Sequence, residues 1–206
     1  MLQRLKRTLR ALYFQRTHAF DTPTTPHFDD ETLARFRHEL ATCKSYLEYG
    51  SGGSTILVDG RGIEATSVES DRFYANAVRR GLSPTSRVKM VVPRVGLVEE
   101  WGRPVFNYGN KGKRYVDAGF AGEAFPELIL VDGRYRAACA LESARRAHEG
   151  KCAATLIFDD YESRPHYHVV EQYLGPPERV GRSAVFRLGS RAVPEEAVRT
   201  FAKDPR

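Results

Sequence analysis

Two short runs constrain what this chain can fold into. In ELILVDG (127–133) and ATLIFDDY (154–161), apolar residues follow one another almost without interruption and end in acid. A strand with one wet face alternates apolar and polar residues, so a near-continuous run of this length is a strand buried on both faces. Such strands belong to parallel sheets covered by helices on both sides. The segment between the runs, RYRAACALESARRAHEG (134–150), reads as that covering helix, with Gly150 as its stop.

The same alternation extends through the chain. SYLEYG (45–50) reads as a strand, followed by a glycine turn and a short helix through 54–58. IEATSVES (63–70) is a strand, DRFYANAVRRGL (71–82) a helix, and RVKMVVPRV (87–95) a strand. RPHYHVVEQYL (164–174) reads as a helix, and ERVGRSAVFRLG (178–189) as two short closing strands. Residues 29–189 therefore form the expected α/β domain. Before it, Leu2, Leu5, Leu9 and Leu12 mark an amphipathic helix, broken by DTPTTPHF (21–28). A further helix is expected from Asp30 to Cys43, with Leu33, Phe36 and Leu40 on one face. Residues 96–126 show no period and are rich in Gly, Pro and aromatic residues, which reads as an irregular insertion on the substrate side. Residues 190–206 read as a C-terminal tail.

Charge argues against one class of function. The chain of 206 residues carries a formal +6, from 32 basic and 26 acidic side chains. Five of the basic ones, Arg4, Lys6, Arg7, Arg10 and Arg16, stand in the first 16 residues without an acid, which leaves 27 against 26 elsewhere. The main domain is thus near neutral, unlike a domain that coats nucleic acid. No window approaches the roughly 18 apolar residues of a membrane span, and Lys6, Arg7 and Arg10 interrupt any signal-peptide core. Cys43, Cys139 and Cys152 are odd in number and without CxxC spacing, which argues against a disulfide framework or structural zinc and makes the cytoplasm the expected location. The N-terminal helix has two readings. Its leucines pack on the domain or on a second copy in a homodimer, the favoured one, or residues 1–16 make transient contact with an anionic membrane surface.

Open parallel sheets bind ligands beyond the C-terminal strand ends. There the first strand runs into Glu48-Tyr49-Gly50-Ser51-Gly52-Gly53-Ser54-Thr55, a loop whose glycines let backbone approach a ligand. The second strand ends in Glu69, nineteen residues after Gly50, where a carboxylate can accept from both hydroxyls of a ribose. A dinucleotide loop places its third glycine where this chain has Thr55, so that match is incomplete.

The E-x-G-x-G-G-S-T run, with Glu69, resembles the class I S-adenosylmethionine-dependent methyltransferases over roughly residues 30–189. The resemblance implies a seven-stranded, mostly parallel Rossmann-like sheet with the last strand antiparallel, and S-adenosylmethionine as cofactor. It places Gly50, Gly52 and Gly53 beside the cofactor, with Glu48 and Ser54 helping to hold its amino-acid part. Ser51 and Thr55 of the same loop, Ser70 beside Glu69, and Asp132 complete the candidate cofactor set.

Asp132, Asp159 and Asp160 stand at the ends of the two buried runs. Their placement also resembles the metal-dependent catechol O-methyltransferase group, which implies a Mg²⁺ or Ca²⁺ site. That group has a lysine three residues after its first acid, where this chain has Tyr135. The other reading has no metal: Asp132 meets cofactor or substrate and serves as base, with His166 or Tyr135 as substitutes, while Asp159 and Asp160 cap the following loop. Arg134, immediately after the strand, suits an acceptor carrying carboxylate or phosphate. Trp101, Phe106, Tyr108 and Tyr115 are candidates for an aromatic lid. The leading expectation is an O-methyltransferase acting on a small or carbohydrate-like anionic acceptor, with Asp132, Arg134, Tyr135, Asp160 and His166 as its catalytic set. Nucleic acid is not the expected partner, although residues 87–114 hold seven basic and two acidic groups and so keep an RNA methyltransferase as the runner-up. A catalytically silent cofactor-binding partner protein is a third reading, and a nicotinamide enzyme a distant fourth.

Overall fold

The computed structural model describes residues 2–120, 122 and 124–206, without the side chains of 2–5 and 7. Its centre is a seven-stranded sheet. The strands are β1 (Ser45–Tyr49), β2 (Glu64–Val68), β3 (Val88–Val91), β6 (Leu128–Val131), β7 (Ala154–Phe158), β8 (Glu178–Val180) and β9 (Ser183–Leu188), and a separate hairpin pairs β4 (Val98–Glu99) with β5 (Arg103–Pro104). The order is β3-β2-β1-β6-β7-β9-β8. Neighbours from β3 to β7 are parallel, and β9 runs antiparallel to both β7 and β8. This is the sheet the resemblance implies, reversed last strand included.

Both-face burial is realised residue by residue. Tyr46, Leu128, Leu130, Ile157 and Val185 point into one core, where Phe36 and Leu40 of helix α2 (Asp30–Leu40) and Val58 of α3 (Gly53–Asp59) cover them. Leu47, Tyr49, Ile129, Val131, Leu156, Phe158 and Phe186 point into the other, under α6 (Arg136–Glu149) and α8 (Glu195–Phe201). Asp29 caps α2 by accepting from the Thr32 N–H at 2.8 Å, and Asp71 caps α4 (Arg72–Gly81) by accepting from Phe73 at 2.8 Å. Leu33 is only half-buried. The segment after β7 forms a 3₁₀ turn (Pro165–Val170) and one turn of α-helix, α7 (Glu171–Leu174), instead of a single helix.

Three segments depart from the sequence reading. The 96–126 insertion is not irregular throughout: it holds the β4–β5 hairpin and helix α5 (Lys111–Ala118). That helix buries Gly112, Tyr115 and Val116, a helical spacing hidden because one core position is glycine. There the Ala202 carbonyl stands 1.8 Å from where a Cβ would be. Residues 190–206 are not a loose tail, since α8 packs on α6 and the Arg136 N–H donates to the Arg206 carbonyl at 3.0 Å. Helix α1 (Leu2–Thr17) forms, but the face it buries is Thr8, Ala11 and Gln15. Leu9 is exposed, Leu12 half-buried, and the Leu2 and Leu5 side chains lie outside the described residues. No helix among the described residues is long and apolar enough to cross a membrane.

Strand order reverses between β1 and β6, and there the two strand-end loops touch backbone to backbone. A Cβ on Gly50, whose φ is +95°, would stand 2.8 Å from the Gly133 nitrogen. Gly50→Ala therefore combines left-handed strain with a backbone clash, and is expected to cost about 2–4 kcal/mol in urea unfolding. A loss below about 0.5 kcal/mol would show that the two loops are not in contact.

Candidate active site

The loop after β1 is organised by one carboxylate. Glu48 is fully buried and accepts from the hydroxyls of Tyr46 at 2.9 Å, Ser54 at 2.7 Å and Ser67 at 2.6 Å, and from Thr55. Burial raises its pKa and these hydroxyls oppose the rise. Thr55 also accepts from the Gly52 N–H at 2.9 Å, so it ties the loop to the acid beneath it. This gives Thr55 a reason to stand where a dinucleotide loop has glycine. Tyr46 and Ser67 are absent from the sequence-derived set. The signal for both was available, since Tyr46 lies two residues before Glu48 on the same strand face and Ser67 stands opposite Glu48 in the β1–β2 register.

Glu69 sits at the end of β2 beside that loop. Its carboxylate accepts from the Ser51 N–H at 3.2 Å, the Ser51 hydroxyl at 3.1 Å and the Asp71 N–H at 2.8 Å. The Ser70 hydroxyl lies 3.1 Å from it and donates to the Gly102 carbonyl at 2.8 Å, which binds the insertion hairpin to this edge. Gly52 is open except for the Tyr74 hydroxyl, 3.2 Å from where a Cβ would be. Gly53 faces a different neighbour from the one the resemblance implies: the Thr25 carbonyl stands 2.1 Å from its would-be Cβ, so the Pro/Thr linker runs directly over it.

At the ends of β6 and β7 the three predicted acids do converge, with one oxygen of each within 4.8 Å of the others. Arginines converge with them. Asp159, completely buried, takes a bidentate pair from Arg182 at 2.9 and 2.6 Å and the Ser183 hydroxyl at 2.8 Å. Asp160 pairs with Arg164 at 2.7 Å and Arg136 at 3.4 Å, and Asp132 with Arg136 at 2.9 Å. Three guanidinium groups already meet the charge and occupy the oxygens that a hard cation would need, so the donor set does not fit Mg²⁺ or Ca²⁺. Asp132 alone keeps an open side, with its side chain 37% exposed. Loss of bulk water raises its pKa, Arg136 pulls it down, and Asp159 and Asp160 add to the rise, which leaves it pushed up to about 7.

The other candidates separate. Arg134 is half-buried, its Nε is buried without a hydrogen-bond partner, and burial plus the like charge of Arg136 lowers its pKa. Tyr135 is buried, with φ of +53° at the start of α6, and its hydroxyl donates to Asn107 at 2.8 Å; its place is in the packing under the insertion. His166 is exposed, its ring centre 4.2 Å from that of Tyr167, and burial followed by the charge of Arg206 lowers its pKa. The expected aromatic lid does not assemble. Tyr115 is in the core, whereas Trp101, Phe106 and Tyr108 are 87, 59 and 68% exposed.

The sheet order, the reversed last strand and the loop at the switch point are those of the class I S-adenosylmethionine-dependent methyltransferases. The crystal structure of a methyltransferase-like protein from Silicibacter pomeroyi DSS-3 is 30% identical, covers 89% of this chain and 100% of its own, and superposes with a TM-score of 0.73. The chain belongs to this family. A second structure, the T. thermophilus 16S rRNA N2 G1207 methyltransferase in complex with AdoMet and guanosine, is 15% identical over 85% of this chain and 43% of its own, with a TM-score of 0.42, too distant to bear on activity. No protein-family model and no curated protein matches the chain.

The arginine-paired acids lead to a direct expectation. Millimolar Mg²⁺ or Ca²⁺ should leave the melting temperature within about 1 °C of its metal-free value, measured by scanning calorimetry. A concentration-dependent rise of several degrees would show that a cation displaces the arginines.

Proposed function

We propose that the protein transfers a methyl group from S-adenosylmethionine to a hydroxyl of a small anionic acceptor, with Asp132 as general base. The observation that carries this reading is the Asp132 carboxylate: it stands at the switch point of the sheet, open on one side, with a pKa near 7. The surrounding residues fit the cofactor. Glu69 suits the ribose hydroxyls, Gly50, Ser51 and Gly52 allow close backbone approach, and Asp132 also offers a carboxylate to the amino end. Ser54, Thr55 and Glu48 shape the loop from below, and Ser70 holds the hairpin beside it.

Bound S-adenosylmethionine supplies an electrophilic methyl on a sulfonium and leaves as the neutral thioether. The protein has to place an acceptor oxygen in line and remove its proton. Asp132 accepts that proton. Arg136, paired with it, keeps the carboxylate oriented. Arg134, two residues on, has a buried Nε without a hydrogen-bond partner among the described residues and would gain one from a carboxylate or phosphate on the acceptor. The same chemistry on RNA is the second reading, favoured only by the basic residues of 87–114, of which Arg94 and Arg114 line an open hollow of about 530 Å³.

Titration calorimetry should show binding of S-adenosylmethionine and none of NAD. Glu69→Gln should weaken the former at least tenfold, about 1.4 kcal/mol. Unchanged affinity would remove Glu69 from the site. With an acceptor found by screening hydroxy acids, phenols and sugar phosphates for S-adenosylhomocysteine release, kcat/KM should rise with pH and level off above about 7 as Asp132 ionises. Asp132→Asn should lower kcat by about 10²-fold or more. A pH-independent rate, or salt-sensitive turnover on RNA alone, would overturn the assignment.

A further inference from the structure

Every large apolar side chain left exposed among the described residues lies in one of two segments, 9–14 on α1 and 97–108 in the insertion. The two are fastened together. Gln15 donates to the Val98 carbonyl at 3.1 Å and Thr8 to the Glu99 carboxylate at 3.3 Å. Because α1 uses its Thr8/Ala11/Gln15 face for this contact, Leu9 and Tyr13 are left uncovered, 57 and 63% exposed. On the hairpin, Trp101 is 87% exposed and sits at the tip between β4 and β5. Its φ of +59° is a left-handed conformation that costs a bulky residue about 1–3 kcal/mol. An aromatic side chain held at a turn tip at a conformational cost, and turned to solvent, has no folding reason on view.

The charge on α1 has one sign. Residues 1–20 contain no acid, and Lys6, Arg10 and Arg16 are exposed along α1. Arg94, just before the insertion, is exposed, as are Arg103, Lys113 and Arg114 within it, and Glu100 is an exposed acid among its described residues. Lys111 lies 4.1 Å from the ring centre of Tyr108.

We propose that α1 and the Trp101 hairpin together form a docking surface for an anionic lipid bilayer. Trp and Tyr favour the headgroup level, where one end of the ring is apolar and the other wet. Lys and Arg around them are drawn to acidic headgroups, and the combination supplies the two signals that reversible membrane attachment needs. Leu9 and the exposed Leu97 decide against RNA, because an aliphatic side chain neither stacks on a base nor meets a phosphate. The acid-free positive charge of residues 1–20 is complementary to a layer of acidic headgroups. This surface is independent of the methyl-transfer chemistry.

Trp101 is the chain's single tryptophan, so its emission reports directly on the tip. Vesicles of phosphatidylcholine with about 30% phosphatidylglycerol should shift that emission to the blue and carry the protein upward in flotation, while pure phosphatidylcholine should do neither. Trp101→Gly, which removes the ring and relieves the backbone, should lower the floated fraction roughly tenfold, as should Lys6→Glu with Arg10→Glu. S-adenosylmethionine affinity, read by calorimetry, should stay the same in these variants. The proposal is overturned by absence of a blue shift with acidic vesicles, by equal flotation of Trp101→Gly, by a lipid-free shift that grows with protein concentration (a second copy covering the face), or by quenching with single-stranded RNA in the absence of lipid binding.

Discussion

A carboxylate completely removed from water, Glu48, is the point on which the site depends. Left alone it would be too costly to bury; four hydroxyl donors make it tolerable. Those donors come from three elements: Tyr46 on β1, Ser67 on β2, and Ser54 and Thr55 at the start of α3. The acid therefore fixes the position of the glycine loop relative to two neighbouring strands, and Thr55 closes the connection by accepting from Gly52. Removing any one donor leaves a buried oxygen short of a partner, so the loop's geometry is bought with a polar cluster in which every member is needed.

Beyond that loop the structure is governed by compensation of charge. Asp159 lies at the bottom, neutralised by a bidentate arginine from the β8–β9 turn. Asp160 and Asp132 share Arg136, which also donates to the Gly133 and Asp159 carbonyls at 3.1 and 2.8 Å. The result is a rigid ion network with two loose ends. Asp132 keeps an open side and a raised pKa, and the buried Nε of Arg134 keeps no hydrogen-bond partner among the described residues.

How much of this was legible in the sequence differs by element. The buried strands, the glycine loop and the acids at the strand ends could be read because each is a local pattern. Helix α5 could not, since glycine at 112 occupies a core position that a periodicity search counts as blank. The contact face of α1 is hidden for the opposite reason: its leucines advertise burial, yet among the described side chains Leu9 is exposed while Thr8 and Gln15 are buried on the Glu99 carboxylate and the Val98 carbonyl. The choice between a metal site and an ion network at these acids was not legible, because Arg182, the main neutralising partner, stands 23 residues from Asp159 and comes to it only through the antiparallel return of β9.

The sequence by itself determined the fold class and the edge of the sheet where ligands belong. Burial on both faces leaves its mark on every residue of a strand, and a tight turn demands glycine wherever it occurs. The tertiary structure decided which charges meet, which side of α1 faces inward, and that the Pro/Thr linker lies across Gly53. Those outcomes depend on groups far apart in the chain. Local periodicity reports whether a residue leaves water, whereas a pairing is chosen only when the sheet brings its partners within reach.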